Sequence, residues 1–139
     1  MAGRAESIAA RARSLIGVRY RPQGRSVEFG LDCVGLAALS LGLPPEHVTC
    51  SYGLRGNELR ALEAELERHG LAPSQTAAPM AGDLGLFVPG PAQLHLAVFT
   101  DTGLVHADAG LRRVVERPLP APWRVVGHWR VLAPARSGE

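Results

Sequence analysis

The stretch Gly30-Leu31-Asp32-Cys33-Val34-Gly35-Leu36-Ala37-Ala38-Leu39-Ser40-Leu41-Gly42 constrains this chain more than any other. Asp32 is suited to an N-cap, because its carboxylate can accept hydrogen bonds from the free amides two and three residues on. Gly42 is a natural stop, and Pro44-Pro45 blocks any continuation. Between the caps nearly every residue is apolar on all sides, so the helix must be surrounded by protein. Cys33 falls in the first turn, where unpaired amides and the helix dipole favour an anion. The expectation is a lowered thiol pKa, with thiolate available near neutral pH.

A chain of 139 residues holds one core, and residues 1–139 read as a single domain. The net charge of +2 is small and its charges are scattered, which argues against nucleic acid or an anionic membrane as partner. A chain of this size needs no staple, so Cys33 and Cys50 read as free thiols, Cys50 as a structural one. Arg4, Glu6, Arg11 and Arg13 interrupt the N-terminal segment, which reads as a folded helix and not an export signal. No stretch approaches the roughly 18 to 20 apolar residues of a membrane span. The expectation is a soluble protein made in the cytoplasm without a signal peptide.

Taken in order, Ile8, Ala12, Leu15 and Ile16 predict an amphipathic helix over Arg4–Ile16. Val18–Gly30 reads as a loop carrying Tyr20, and the buried helix follows over Cys33–Leu41. His47–Gly56 is irregular. Asn57 predicts the cap of a third helix, which buries Leu59, Leu62 and Leu66 and ends near His69-Gly70. Leu71–Pro79 reads as a polar connection, and beyond it the pattern turns strand-like. Strands are predicted at Asp83–Val88, Gln93–Thr100, Leu104–Ala107, Leu111–Arg117 and Arg124–Leu132, and Pro134–Glu139 as a frayed tail. Asp101-Thr102-Gly103 makes a hairpin of the middle pair. Helices followed by short linked strands define an α+β domain with an antiparallel sheet.

That hairpin sets His95 and His106 on neighbouring strands. A cysteine nucleophile needs a base within hydrogen-bond reach, and the base works best when a third group fixes its tautomer. Cys33, His95 and His106 meet that need if the helix packs its first turn against this end of the sheet. His47, His69 and His128 read as structural, His69 as a cation at a helix C-terminus. Cys33, His95, His106 and Asp108 are also suitable metal ligands by type, but they lack compact ligand spacing, and no metal or cofactor is expected.

The order of motifs resembles the NlpC/P60 family of cell-wall cysteine peptidases. The matching residues are Gly17 and Tyr20, then Gly30-Leu31-Asp32-Cys33-Val34-Gly35-Leu36, which is like G-x-D-C-S-G-L. Pro79-Met80-Ala81-Gly82-Asp83-Leu84 is like P-x-x-G-D-L, and His95-Leu96-Ala97-Val98 and Val105-His106-Ala107 are like H-V-G-I and I-H-A. The resemblance covers about residues 5 to 132. It implies a papain-like core with N-terminal helices on a five- or six-stranded antiparallel sheet. By position it implies Cys33 as nucleophile, His95 as general base and then acid, and His106 as the group orienting it. Tyr20 would serve substrate or oxyanion, and Asp32 would be both N-cap and part of a substrate-amine site. The Cys33 backbone amide is a further oxyanion donor. The implied partner is the stem peptide of peptidoglycan, cut at γ-D-glutamyl-diamino acid bonds through a thioester.

Two departures fall on substrate recognition. Val34 stands where many members carry serine, and the family's P-Y-x-W-G-G is reduced to Arg19-Tyr20-Arg21-Pro22-Gln23-Gly24. A valine after the cysteine is similar to the members carried by bacteriophage tails and gene-transfer-agent particles, which implies tail proteins as further partners. A tail-borne binding module with this fold, and an amidase or acyltransferase with the same chemistry, are the alternatives.

Overall fold

The structure is a computed structural model that describes residues 3–44, 56–76, 78–91 and 93–132. His47, Cys50 and the tail from Pro134 lie outside the described residues, and Asn57, expected as the cap of the third helix, falls within that helix, which already begins at Gly56. Helix α1 spans Arg4–Ser14, α2 Cys33–Leu41 and α3 Gly56–Arg68. Strands β1 (Arg25–Ser26) and β2 (Gly30–Leu31) form a small ladder before α2. The main sheet takes β3 (Leu71–Pro73), β4 (Leu84–Val88), β5 (His95–Thr100), β6 (Gly103–Asp108), β7 (Arg113–Arg117) and β8 (Arg124–Val131). Its order is β3-β8-β4-β5-β6-β7, and every neighbouring pair is antiparallel.

The capped helix forms as its ends dictate. Asp32 is extended, and its Oδ1 accepts from the Gly35 amide at 2.8 Å. Gly42 is left-handed at φ 77°, and its amide reaches back to the Ala38 and Leu39 carbonyls. Gly35 is required by a close approach, since a Cβ there would stand 2.3 Å from the Gly24 carbonyl oxygen. The loop before the site thus lies directly on the first turn of α2.

The helices cover one face of the sheet. Ile8 and Ala12 from α1, Leu36 and Leu41 from α2, and Leu62 and Leu66 from α3 meet Leu86, Leu96, Val98 and Val105 in the main core. Truncating such a buried leucine typically costs about 2–5 kcal/mol. On the opposite face Phe87, Ala97, Phe99 and Leu104 form a smaller cluster with Ala121 and Trp123 against it. The two faces of β5 therefore alternate as its sequence predicts, and both are buried.

Three expectations need correction. The loop assigned to Val18–Gly30 contains β1 and enters β2, whose two-residue runs are too short to show a period. Leu71–Pro73, expected as connection, pairs with β8 as an edge strand, where Pro73 is tolerated. The first helix stops at Ser14, with Leu15 as its C-cap. Among the described residues, no helix is long and apolar enough to cross a membrane.

Candidate active site

The β5–β6 ladder runs from Thr100↔Gly103 to Val98↔Val105, and both strands then continue beyond the last paired residues. The first turn of α2 packs at this opening, where the Leu96 amide donates to the Cys33 thiol. Tyr20, Cys33, His95 and His106 line one cavity of about 380 Å³. Sequence reasoning expected these four together, and the fold places them so.

His95 and His106 are diagonal neighbours on one face of the hairpin. His95 Nε2 and His106 Nδ1 are 3.0 Å apart, with the rings at 85°. His106 is 3% exposed, and its Nε2 stands 3.9 Å from Asp108 Oδ2. Asp108 Oδ1 is held by the Gly110 and Leu111 amides at 2.8 and 3.1 Å. A carboxylate on that side favours the proton on His106 Nε2. Nδ1 is then an acceptor, His95 Nε2–H the donor, and the lone pair of His95 is left on Nδ1. That is the tautomer a general base requires.

Burial dominates the ionisation of these groups. It pushes the Cys33 thiol up to about 12, against the Leu96 amide and the Arg25 charge, which favour thiolate. The expected lowering is therefore corrected, because the helix terminus contributes less than the loss of water around sulfur. Burial also pushes His95 down to about 4, and the His106 charge adds to the effect. His106 is lowered by burial too, with Asp108 opposing. The resting pair at neutral pH is thus a neutral thiol and a neutral imidazole. Burial likewise raises Tyr20.

Asp32 caps α2 as its sequence predicts. It is 0% exposed, its Oδ1 takes Gly35 N–H and Arg25 Nη1 at 2.6 Å, and it does not line the cavity. The cap and the ion pair both fall on Oδ1, and Oδ2 is buried without a hydrogen-bond partner. Val34 is 3% exposed in the main core, so its side chain belongs to packing and not to the cavity wall. Asp83 of the Gly82-Asp83 motif is structural. It accepts from Met80 N at 2.9 Å and pairs with both sides of Arg130, while His128 Nε2 lies 3.7 Å away. His69 ends α3 with Glu65 at 3.1 Å, a specific partner in addition to the dipole. No group of three or more His, Cys, Asp or Glu among the described residues is placed to hold a metal ion.

Sequence reasoning missed two residues. Trp123 packs edge-on against His95 and His106, each with centroids 4.8 Å apart, and Arg117 lies over the Trp123 ring at 5.5 Å. The available signal was compositional. A tryptophan among prolines, in a chain with only 5% aromatics, is an expensive residue to leave in a linker.

No family model and no curated protein sequence matches the chain, whereas solved structures do. It superposes on NlpC1 from Trichomonas vaginalis with TM-score 0.67 and 16% identity, covering 94% of this chain and 46% of that one. RipD from Mycobacterium tuberculosis, a non-catalytic NlpC/p60 domain protein adapted to peptidoglycan binding, gives 0.59 and 16%, covering 95% and 100%. The peptidoglycan hydrolase RipB from the same organism gives 0.58 and 21%, covering 91% and 63%. The chain has the NlpC/P60 fold, an α+β core with, among the described residues, three helices on a six-stranded antiparallel sheet. It spans about half the length of the Trichomonas protein.

Proposed function

We propose that residues 1–139 are a cysteine peptidase domain that hydrolyses peptidoglycan stem peptides through a thioester. The observation that carries this reading is the His95–His106 pair at 3.0 Å, in one cavity with Cys33 at a helix N-terminus. As a substrate carbonyl approaches Cys33 Sγ, the His95 lone pair takes the thiol proton while the S–C bond forms. Because the resting pair is neutral, transfer accompanies attack and does not precede it. The oxyanion is met by the Cys33 amide and the Tyr20 hydroxyl. His95 then protonates the leaving amine as the C–N bond breaks. Water, deprotonated by the same imidazole, opens the thioester and releases the acid. His106 holds the ring plane of His95, Asp108 holds the tautomer of His106, and Trp123 packs against both rings.

Peptidoglycan is assigned from the motif resemblance together with the fold shared with a peptidoglycan hydrolase. The γ-D-glutamyl-diamino acid bond is the one the motifs favour. Delivery on a tail-like particle would bring such a domain to the wall, and an amine in place of water would make the same thioester an acyl-transfer intermediate.

A second reading is a wall-binding module. The deep burial of the thiol, with its pKa near 12, and the shared fold with a non-catalytic peptidoglycan-binding domain favour it. Digestion of defined muropeptides with wild type and Cys33→Ala, with products identified by mass, separates the two. The peptidase reading expects two fragments from wild type and none from the variant. Binding without cleavage by wild type would establish the module instead.

A further inference from the structure

The cavity contains one side chain that the proposed chemistry does not use. Arg117, on β7, is the cavity's single arginine and forms no ion pair among the described residues. Its Nε is buried and has no hydrogen-bond partner. The neighbouring Glu116 is committed elsewhere, to Arg13, Thr100 and Thr102. Asp108, the one carboxylate of the lining, gives Oδ1 to two amides and stands with Oδ2 beside His106. Guanidinium stays charged throughout the working pH range, and its carbon lies over the Trp123 ring at 5.5 Å, a contact that spends none of its N–H groups. A buried N–H without an acceptor costs free energy until one arrives. The acceptor that best matches a charged planar guanidinium is a carboxylate.

We propose that Arg117 is the specificity residue of this cavity, binding a substrate carboxylate beside the Cys33 thiol. Its preferred substrate therefore carries a free acid, and not a carboxamide, next to the scissile bond. The identity of that substrate rests on the peptidase reading; the anion site itself does not. A γ-linked glutamyl residue has such a group, because linkage through its side chain leaves the α-carboxylate free. The diamino acid can supply another.

Two small alkylating agents test the site without any peptide. Iodoacetate and iodoacetamide differ by one carboxylate, and their rate ratio at Cys33 is independent of the thiolate fraction. The ratio is measured at pH 9 from the Cys33-containing peptide and divided by the ratio for glutathione. Wild type should exceed glutathione by about tenfold or more, as expected of a charge-assisted hydrogen bond. Arg117→Gln should return the ratio to that of glutathione, and Arg117→Lys should keep part of the preference, having the charge without the planar guanidinium. Equal ratios for wild type and glutathione overturn the proposal without recourse to a variant, so misfolding of Arg117→Gln cannot protect it.

Stem peptides then identify the carboxylate. Amidation of the glutamyl α-carboxylate should raise KM about tenfold for wild type and far less for Arg117→Gln. If only amidation of the diamino acid does so, that group is the ligand. Carboxylate-selective alkylation with no peptide cleaved would retain the site and refute the peptidase. Cleavage indifferent to amidation, with unselective alkylation, would do the reverse.

Discussion

At its turn, the β5–β6 hairpin leaves hardly a polar group unspent. Thr100 Oγ1 donates to Glu116 at 2.7 Å, Thr102 Oγ1 donates to the same carboxylate, and Arg13 from α1 binds both Glu116 and Thr102. At the other end the same two strands part. There the structure gathers a thiol and two imidazoles, with Arg117, whose backbone pairs with Leu104 beside the turn, lining the same cavity; His106 Nε2 and Arg117 Nε are buried without hydrogen-bond partners. The turn end uses its polar groups to fix the hairpin to α1. The open end links His95 to His106 and packs both on Trp123, and it leaves the Arg117 guanidinium without a hydrogen-bond partner among the described residues. Around one hairpin, the contrast separates polar residues paired for stability from an arginine left unpaired in a cavity.

Substitutions can break that contrast, and the largest effect belongs at the open end. Cys33→Ala or His95→Ala should lower peptide hydrolysis by about 10⁴-fold or more. Circular dichroism and thermal unfolding should remain close to wild type. Next in size is a pH effect. With the thiol near 12, thiolate rises about tenfold per pH unit. Alkylation of Cys33 in the resting protein should therefore climb about a thousandfold from pH 6 to 9 without a plateau, whereas an ion-paired thiolate would level off below 7. His106→Ala should cost about a hundredfold in kcat, because the base remains but loses its orienting partner. His106→Asn should recover part of the loss. The smallest effect belongs at the turn. Thr100→Val removes two part-buried hydrogen bonds, to Glu116 and from the Thr102 amide, and should cost about 1–2 kcal/mol of stability in denaturant unfolding, with hydrolysis unchanged.

The histidines add a pH dependence to folding itself. An unfolded histidine takes a proton near 6.5, but buried His95 resists one until about 4. The unfolded chain thus binds more protons between those values, so stability should fall as pH drops from 6.5 toward 4. His106, also lowered, acts in the same direction. Replacing His95 with Gln should flatten this part of the stability profile.

What could be read from the sequence follows from what repeats. Helix α2, its Asp32 and Gly42 caps and the alternation of β5 are periodic or terminal signals, and each is local. The meeting of Cys33 with His95 and His106 was legible because a short turn fixes a hairpin and a buried helix must lie on the sheet. The thiol pKa was not legible, since it depends on how completely other elements exclude water from sulfur. Val34 illustrates the same limit, because the residue beside a nucleophile can face either core or cavity. Arg117 and Trp123 meet across a proline-rich connection that has no period at all. Their pairing exists only once β7 and β8 are placed.

On the peptidase reading, Cys33 becomes acylated during turnover. Wild-type protein mixed with excess stem peptide, quenched rapidly in acid and digested, should yield the Cys33 peptide with the mass of the acyl half of the substrate added. Hydroxylamine should remove that mass, as it does from a thioester. Sustained turnover with no adduct on Cys33, or turnover surviving in Cys33→Ala, would contradict the account.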